Sequence, residues 1–242
     1  MPFSEIAKPI IVALLLIIAL KHYWKYPNFR NPLLATLALV AWGGFYAPMM
    51  YLAAGIDQQF NDDVLAKADS MLGIHVPSIV AWVRDRPAMD LLFNLAYASL
   101  GLQTALVLIL SSNRGVFIKR FIIGSTICLV FLCLFPAIGP FHYYGLEMNP
   151  GQEAYLEHAK MCRAAGIVLC SSGEGLITFP SFHTMWALFL MAAAKGWLKA
   201  PGVALNILVV LATLTTGWHY GVDTIIGAAI AILIILFSER LV

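Results

Sequence analysis

Apolar runs dominate the chain, and six of them are long or apolar enough to cross a bilayer. They are Pro32–Gly55, Pro87–Leu110, Phe121–Ile138, Phe182–Ala194, Pro201–Gly217 and Gly221–Phe237. A spanning helix needs about 20 predominantly apolar residues, within a range of about 17–25. The fourth run is short and bracketed by Pro180 and Lys195, although apolar residues continue to Trp197. A seventh run, Ile6–Leu20, is interrupted by Lys8 and Pro9. It either spans with Lys8 snorkelling or lies in the interface. It is not patterned as a signal peptide, because Lys21-His22-Tyr23-Trp24 follows it instead of a small-residue cleavage site. The pattern predicts an all-α integral membrane protein built as one membrane domain over residues 1–242. Its six-helix transmembrane core lies within 32–237, with an extra N-terminal helix over 6–24.

Composition agrees. The chain is 61% hydrophobic and 12% charged, whereas soluble domains carry about 45–50% apolar and about 25% charged residues. There are too few charges to coat a water-soluble surface. No basic patch suited to nucleic acid is present, and no repeat at solenoid spacing. The expected partners are membrane lipids.

Charge sets sidedness. Segments 21–31, 112–120, 195–200 and 238–242 share one face and carry nine of the fifteen Lys and Arg residues, but only one of the thirteen acids, Glu239. The positive-inside rule makes that face cytoplasmic, with the C-terminus on it. Two long loops, 56–86 and 139–181, are then extracytoplasmic. In the first, Val64, Leu65, Ala68, Met71 and Leu72 recur at helical spacing and predict an amphipathic interfacial helix; a solvated linker is the alternative. The second should hold a short helix near Glu153–Ala165. Cys128 and Cys133 lie in a span and read as packing residues. Cys162 and Cys170 are a disulfide candidate, since an extracytoplasmic loop permits oxidation.

Two strings carry chemistry, and both fall on the extracytoplasmic side. One is Phe179-Pro180-Ser181-Phe182-His183-Thr184; the other is Thr215-Thr216-Gly217-Trp218-His219-Tyr220-Gly221-Val222-Asp223. His219 and Asp223 are four apart and share a helix face. A carboxylate beside an imidazole selects one tautomer and leaves the other ring nitrogen as a nucleophile. Such a pair can attack phosphorus and form a phosphohistidine. His183 can protonate the departing oxygen and later activate water or an alcohol. Pro180 suits the start of a helix, and free amides near Ser181–His183 would face an anion. Two other readings of these residues stay open. His219/Asp223 can be a structural hydrogen bond, and His183, His219, Asp223 and His142 can form a metal set. No compact metal motif such as His-Glu-x-x-His occurs.

At these strings the sequence resembles the type 2 phosphatidic acid phosphatase superfamily, most closely its inositol phosphorylceramide synthase-like branch. The branch pattern Phe-Pro-Ser-x-His is met by Phe179 to His183, and His-Tyr-x-x-Asp-x-x-x-Gly by His219, Tyr220, Asp223 and Gly227. Phe135-Pro136-Ala137-Ile138-Gly139-Pro140 also resembles that branch. The resemblance implies a six-helix core, chemistry with no metal or other cofactor, and a phosphohistidine intermediate. By position, His219 is the nucleophile, Asp223 its partner and His183 the acid/base. Ser181, Phe182, Thr184 and Tyr220 then border the substrate. The wider superfamily also carries arginines that grip phosphate. Gly139 stands where one would precede Pro140, and Ala212 and Thr213 occupy the late Ser-Arg positions. His142, Arg163, Arg84 and Arg86 are the candidates to replace them.

The sequence therefore predicts a lipid phosphatase or phosphotransferase, in a bacterial inner membrane with a periplasmic site. The alternatives are a catalytically degenerate lipid binder on the same scaffold, a metal-dependent hydrolase, and a transporter. A transporter is disfavoured because its polar residues belong at the bilayer midplane.

Overall fold

The computed structural model describes residues 3–165 and 175–239, and among these all regular structure is helical. In chain order the helices are α1 Phe3–His22, α2 Pro27–Ala54, α3 Asp62–Met71, α4 Val76–Arg84, α5 Pro87–Ala98, α6 Leu100–Leu110 and α7 Arg114–Leu134. They continue as α8 Pro140–Tyr143, α9 Pro150–Ala165, α10 Phe182–Ala193, α11 Lys199–Thr215 and α12 Gly221–Glu239. Several start on proline, including α2, α5 and α8. Proline's fixed φ suits the first helical turn, where its missing N–H would have no partner anyway.

Among the described residues, four helices are long and apolar enough to cross a membrane: α2, α7, α11 with the 3-10 turn before it, and α12. Two bent pairs raise the number to six if each is one span. One pair, α5 and α6, is the predicted span 87–110, bent by 43°. Ser99 sits at the break. Its hydroxyl donates to the Ala96 carbonyl at 2.6 Å and accepts from the Gln103 amide at 2.9 Å. Such side-chain bonds compete with the helix ladder and bend it. The other pair, α3 and α4, turns through 82° within the predicted loop 56–86. Large apolar side chains remain exposed along the outside, such as Leu95, Leu102, Ile109, Leu233 and Phe237. Together with the apolar helices, this exterior fits an integral membrane protein.

The predicted fourth span is different. α10 has 12 residues, or about 18 Å at the helical rise of about 1.5 Å per residue. That is too short for a hydrocarbon core of about 30 Å. It instead sits at the centre, packed against α6, α7, α11 and α12. Met185, Ala187, Phe189, Leu190 and Ala193 bury completely or nearly so. Gly227 lets α12 come close: a Cβ there would stand 2.6 Å from the Ser181 carbonyl oxygen. α1, the predicted N-terminal helix, runs along α2 and leaves Ile10, Leu14, Leu15 and Ile18 exposed.

The described parts of loops 56–86 and 139–181 meet at one end of the bundle. The Asn61 amide reaches the Pro136 carbonyl, and Arg84 reaches the Glu147 carbonyl. At the opposite end Ser111 bonds the Ala193 carbonyl and Arg120 bonds Ser238. α9 covers the predicted helix near Glu153–Ala165 and begins three residues earlier, at Pro150. α3 is a helix within the predicted loop 56–86, and its apolar stripe faces outward, as on a helix lying in a membrane interface. Of the predicted apolar stripe only Leu65 is buried, while Val64, Met71 and Leu72 are exposed. The buried face is Asp62, Leu65, Ala66 and Asp69, because the two carboxylates find backbone donors inside. Cys128 is buried in the core as a packing residue. The Cys162–Cys170 pairing lies outside the described residues, since Cys170 does; Cys162 itself is buried.

Candidate active site

The site lies where the start of α10, the turn between α11 and α12, and the extended segment 175–181 converge. Ser181 caps α10, its hydroxyl accepting from the Thr184 amide at 3.3 Å and the Thr184 hydroxyl at 3.1 Å. The Ser181 amide donates to the Asp223 carbonyl at 3.1 Å. That bond ties the first chemical string to the second. His183 follows one residue into α10. The amides of Phe182 and His183 lie in the first turn, where no carbonyl four residues back is available inside the helix.

His219 sits in the turn before α12 and is 2% exposed. Its backbone amide donates to the Thr213 carbonyl at 3.1 Å. Its Nδ1 lies 2.9 Å from the Thr178 carbonyl oxygen. A carbonyl only accepts, so Nδ1 carries the proton and Nε2 holds the lone pair. Nε2 points at His183, 3.4 Å from its Nδ1. Burial pushes the His219 pKa down to about 4, partly offset by the Thr178 carbonyl. The ring is therefore neutral near pH 7, the state a nucleophile requires.

Asp223 is fully buried. Its Oδ2 accepts the Tyr220 amide at 2.9 Å and stands 3.6 Å from His219 Nδ1. Its Oδ1 has no hydrogen-bond partner among the described residues. The carboxylate thus neighbours the imidazole without holding the Nδ1 proton in this state. The expected Asp–His hydrogen bond is replaced by one to Thr178.

The other predicted residues are dispersed. Phe182 packs on Phe121 and Trp186. The Tyr220 hydroxyl is buried and donates to Asp62 at 3.0 Å. His142 is exposed on α8. The Arg163 guanidinium lies over the Phe60 ring at 3.5 Å. Arg84 is engaged with Glu147, and Arg86 with the Trp82 ring and carbonyl. Among the described residues, none of these cations makes a hydrogen bond or ion pair with His183, His219 or Asp223. Thr213, at one of the arginine positions, is buried and shares a hydrogen bond of 2.9 Å with Thr224. Nor do three or more His, Cys, Asp or Glu side chains converge in a metal-holding group among the described residues.

Two contributors escape sequence reading. Tyr97, just before the α5/α6 bend, stacks on His183 with ring centroids 4.4 Å apart and planes 25° from parallel. A tyrosine in an apolar span gives no signal beyond packing. The second is the Thr178 carbonyl, a backbone atom that no motif reports. Thr178 is itself fixed: its hydroxyl donates to the Ile138 carbonyl at 2.9 Å and pairs with the Tyr155 hydroxyl at 3.1 Å.

No curated protein and no solved structure matches the chain. A family profile does: that of the PAP2 superfamily covers residues 63–237, from α3 through most of α12 and including both histidine strings. With most of its length matched, the chain belongs to the PAP2 superfamily.

Proposed function

We propose that this protein is a lipid phosphatase or phosphotransferase that works through a phosphohistidine on His219. The single observation that supports it best is the Nδ1–H bond of His219 to the Thr178 carbonyl. That bond presents Nε2 as a lone pair toward His183. In the first step Nε2 forms an N–P bond as the P–O bond to the leaving alcohol breaks. His183 gives that oxygen its proton. A bound phosphate anion beside His183 favours the protonated ring needed for this step. In the second step His183 takes the proton of water or an alcohol acceptor, whose oxygen attacks phosphorus while the N–P bond breaks. His219 returns to its neutral form. While phosphorylated, its ring is cationic, and the Asp223 carboxylate 3.6 Å away offsets that charge.

The substrate this site suits is a lipid phosphodiester of low charge. With no arginine paired to the histidines among the described residues, a dianionic phosphate monoester would lack the bidentate partners it normally takes. The positive-inside pattern supports a site on the extracytoplasmic side, with the C-terminus in the cytoplasm. A bacterial inner membrane and a periplasmic site fit that pattern. The same lack of arginines favours a second reading, a lipid binder without turnover.

The test is phosphate or headgroup-phosphate release by purified protein in detergent across a panel of phospholipids. It is run with and without EDTA and with an alcohol acceptor, beside His219→Ala. Turnover that His219→Ala abolishes, with acid-labile phosphate on the wild-type protein, is the expected result. Equal turnover by the variant would sink the mechanism. Lipid binding without any turnover would leave the second reading.

A further inference from the structure

Two buried acids remain outside this chemistry. Asp62 and Asp69 lie seven residues apart on α3, two turns along one face, and are 7% and 1% exposed. Each carboxylate holds two backbone amides from elsewhere in the chain. Asp62 accepts Ile138 N–H at 3.0 Å and Gly139 N–H at 2.7 Å, as well as the Tyr220 hydroxyl. Asp69 accepts Gly221 N–H at 2.8 Å and Val222 N–H at 2.7 Å.

We propose that Asp62 and Asp69 are positioning residues that make α3 a buckle across the His219 turn, keeping its Nε2 aimed at His183. The proposal deepens the phosphotransfer reading and rests on it. A carboxylate that only anchored α3 could grip any part of the bundle. These two grip the turn around His219 from both sides. On one side, Phe141 N–H donates to the Gly217 carbonyl at 3.2 Å, just after the Ile138–Gly139 amides that Asp62 holds. On the other side, Asp69 holds the first two amides of α12. Between them His219 N–H is tied to Thr213 and Tyr220 N–H to Asp223. The turn from Gly217 to Val222 is thereby held at Gly217 and at each residue from His219 to Val222. Asp69 also occupies the amides at the start of α12, where an anion would otherwise be drawn. Contact with α12 is tight enough that a Cβ on Gly221 would stand 2.5 Å from Ile74 Cδ1, in the α3–α4 turn.

The experiment compares Asp69→Asn and Asp62→Asn with Asp63→Asn, an exposed neighbour on α3, using the lipid turned over by the wild type. Asparagine keeps the shape but loses one acceptor and the charge, so the turn loosens without a cavity. Misplacing a reacting group by about 1 Å can cost roughly 100-fold in rate. The expected result is a kcat loss of that order for Asp69→Asn, with KM within about two-fold, and no loss for Asp63→Asn. Wild-type kcat in both Asp69→Asn and Asp62→Asn would overturn the proposal. If Asp69→Asn does not fold, Gly221→Ala, whose Cβ would stand against Ile74 and 3.2 Å from Asp69 Oδ1, crowds the Asp69 grip with both acids in place and is read the same way. If the wild type turns over no lipid, the phosphotransfer reading fails on its own. Hydrogen exchange of the peptide covering 217–224 then decides about the buckle. Faster exchange in Asp69→Asn than in Asp63→Asn supports it, and equal exchange overturns it.

Discussion

His219 gives its Nδ1 proton to the carbonyl of Thr178 at 2.9 Å, while the carboxylate of Asp223, one helical turn further along the chain, stands off at 3.6 Å. Tautomer and charge compensation are thus divided between two residues. In the proposed mechanism the carbonyl fixes which nitrogen attacks, and the carboxylate meets the charge that attack creates. Asp223→Asn separates the two roles. Asparagine can still accept the Tyr220 amide, and the Thr178 bond is untouched. The expected outcome is an intact fold with a kcat lowered roughly 100-fold, about 2.7 kcal/mol of transition-state stabilisation. Steady-state kinetics and a melting curve check it. A large drop in melting temperature would make Asp223 chiefly structural.

Much of this arrangement is legible in the sequence. His183, His219 and Asp223 stand out because ionisable residues at the ends of apolar helices need a reason, and the charge bias puts them at one end. Of the six predicted spans, four return as the long apolar helices α2, α7, α11 and α12, and the span 87–110 as the bent pair α5 and α6. What is hidden follows from three physical causes. Backbone atoms carry no residue signature, so the Thr178 carbonyl is invisible. An aromatic ring in an apolar helix looks like packing, so Tyr97 is invisible too. Asp62 and Asp69 look like a solvated helix face, because their partners are amides some 70 to 150 residues away in the chain. The centrality of α10 is likewise a packing fact. Its 12 residues are shielded by neighbouring helices and need not span alone.

Tyr97 offers a test of how His183 is held. Its ring lies nearly parallel to the imidazole, which fixes the ring plane while leaving rotation within it. Tyr97→Phe keeps the stacked face and should retain activity within about two-fold. Tyr97→Leu removes it. An aromatic pair is worth about 0.5–1.5 kcal/mol, so kcat should fall about 2- to 12-fold with the protein still folded. Equal losses in both variants would assign the effect to the hydroxyl instead.

Close approach at Gly227 makes a prediction about stability. Alanine there would put Cβ 2.6 Å from the Ser181 carbonyl oxygen, backbone that cannot swing away. α12 must shift from α10, carrying Asp223 with it. Gly227→Ala should lower the melting temperature and lose most activity. Gly43→Ala, where a Cβ meets nothing within 4 Å, should leave both unchanged. A wild-type melting temperature for Gly227→Ala would show that α10 and α12 are less tightly joined than their contact implies.

The buried state of His219 also sets a pH window. Its pKa falls from an ordinary 6.5 to about 4 in the folded protein. Between those values the unfolded chain binds the proton and the folded chain does not. Stability from this residue is therefore complete above pH 6.5. It declines as pH falls, by at most about 1.4 kcal/mol per unit, and the decline ends once the folded ring also protonates near pH 4. Activity follows the folded value. As the proposed nucleophile, His219 stays neutral down to about pH 4, so any acid limb near pH 6.5 in kcat/KM belongs to another group. Melting curves from pH 7.5 to 4.5 should slope downward in wild type and less steeply in His219→Gln, which cannot take up the proton. Parallel slopes in the two proteins would mean that the His219 ring titrates freely and is not sealed by the Thr178 bond.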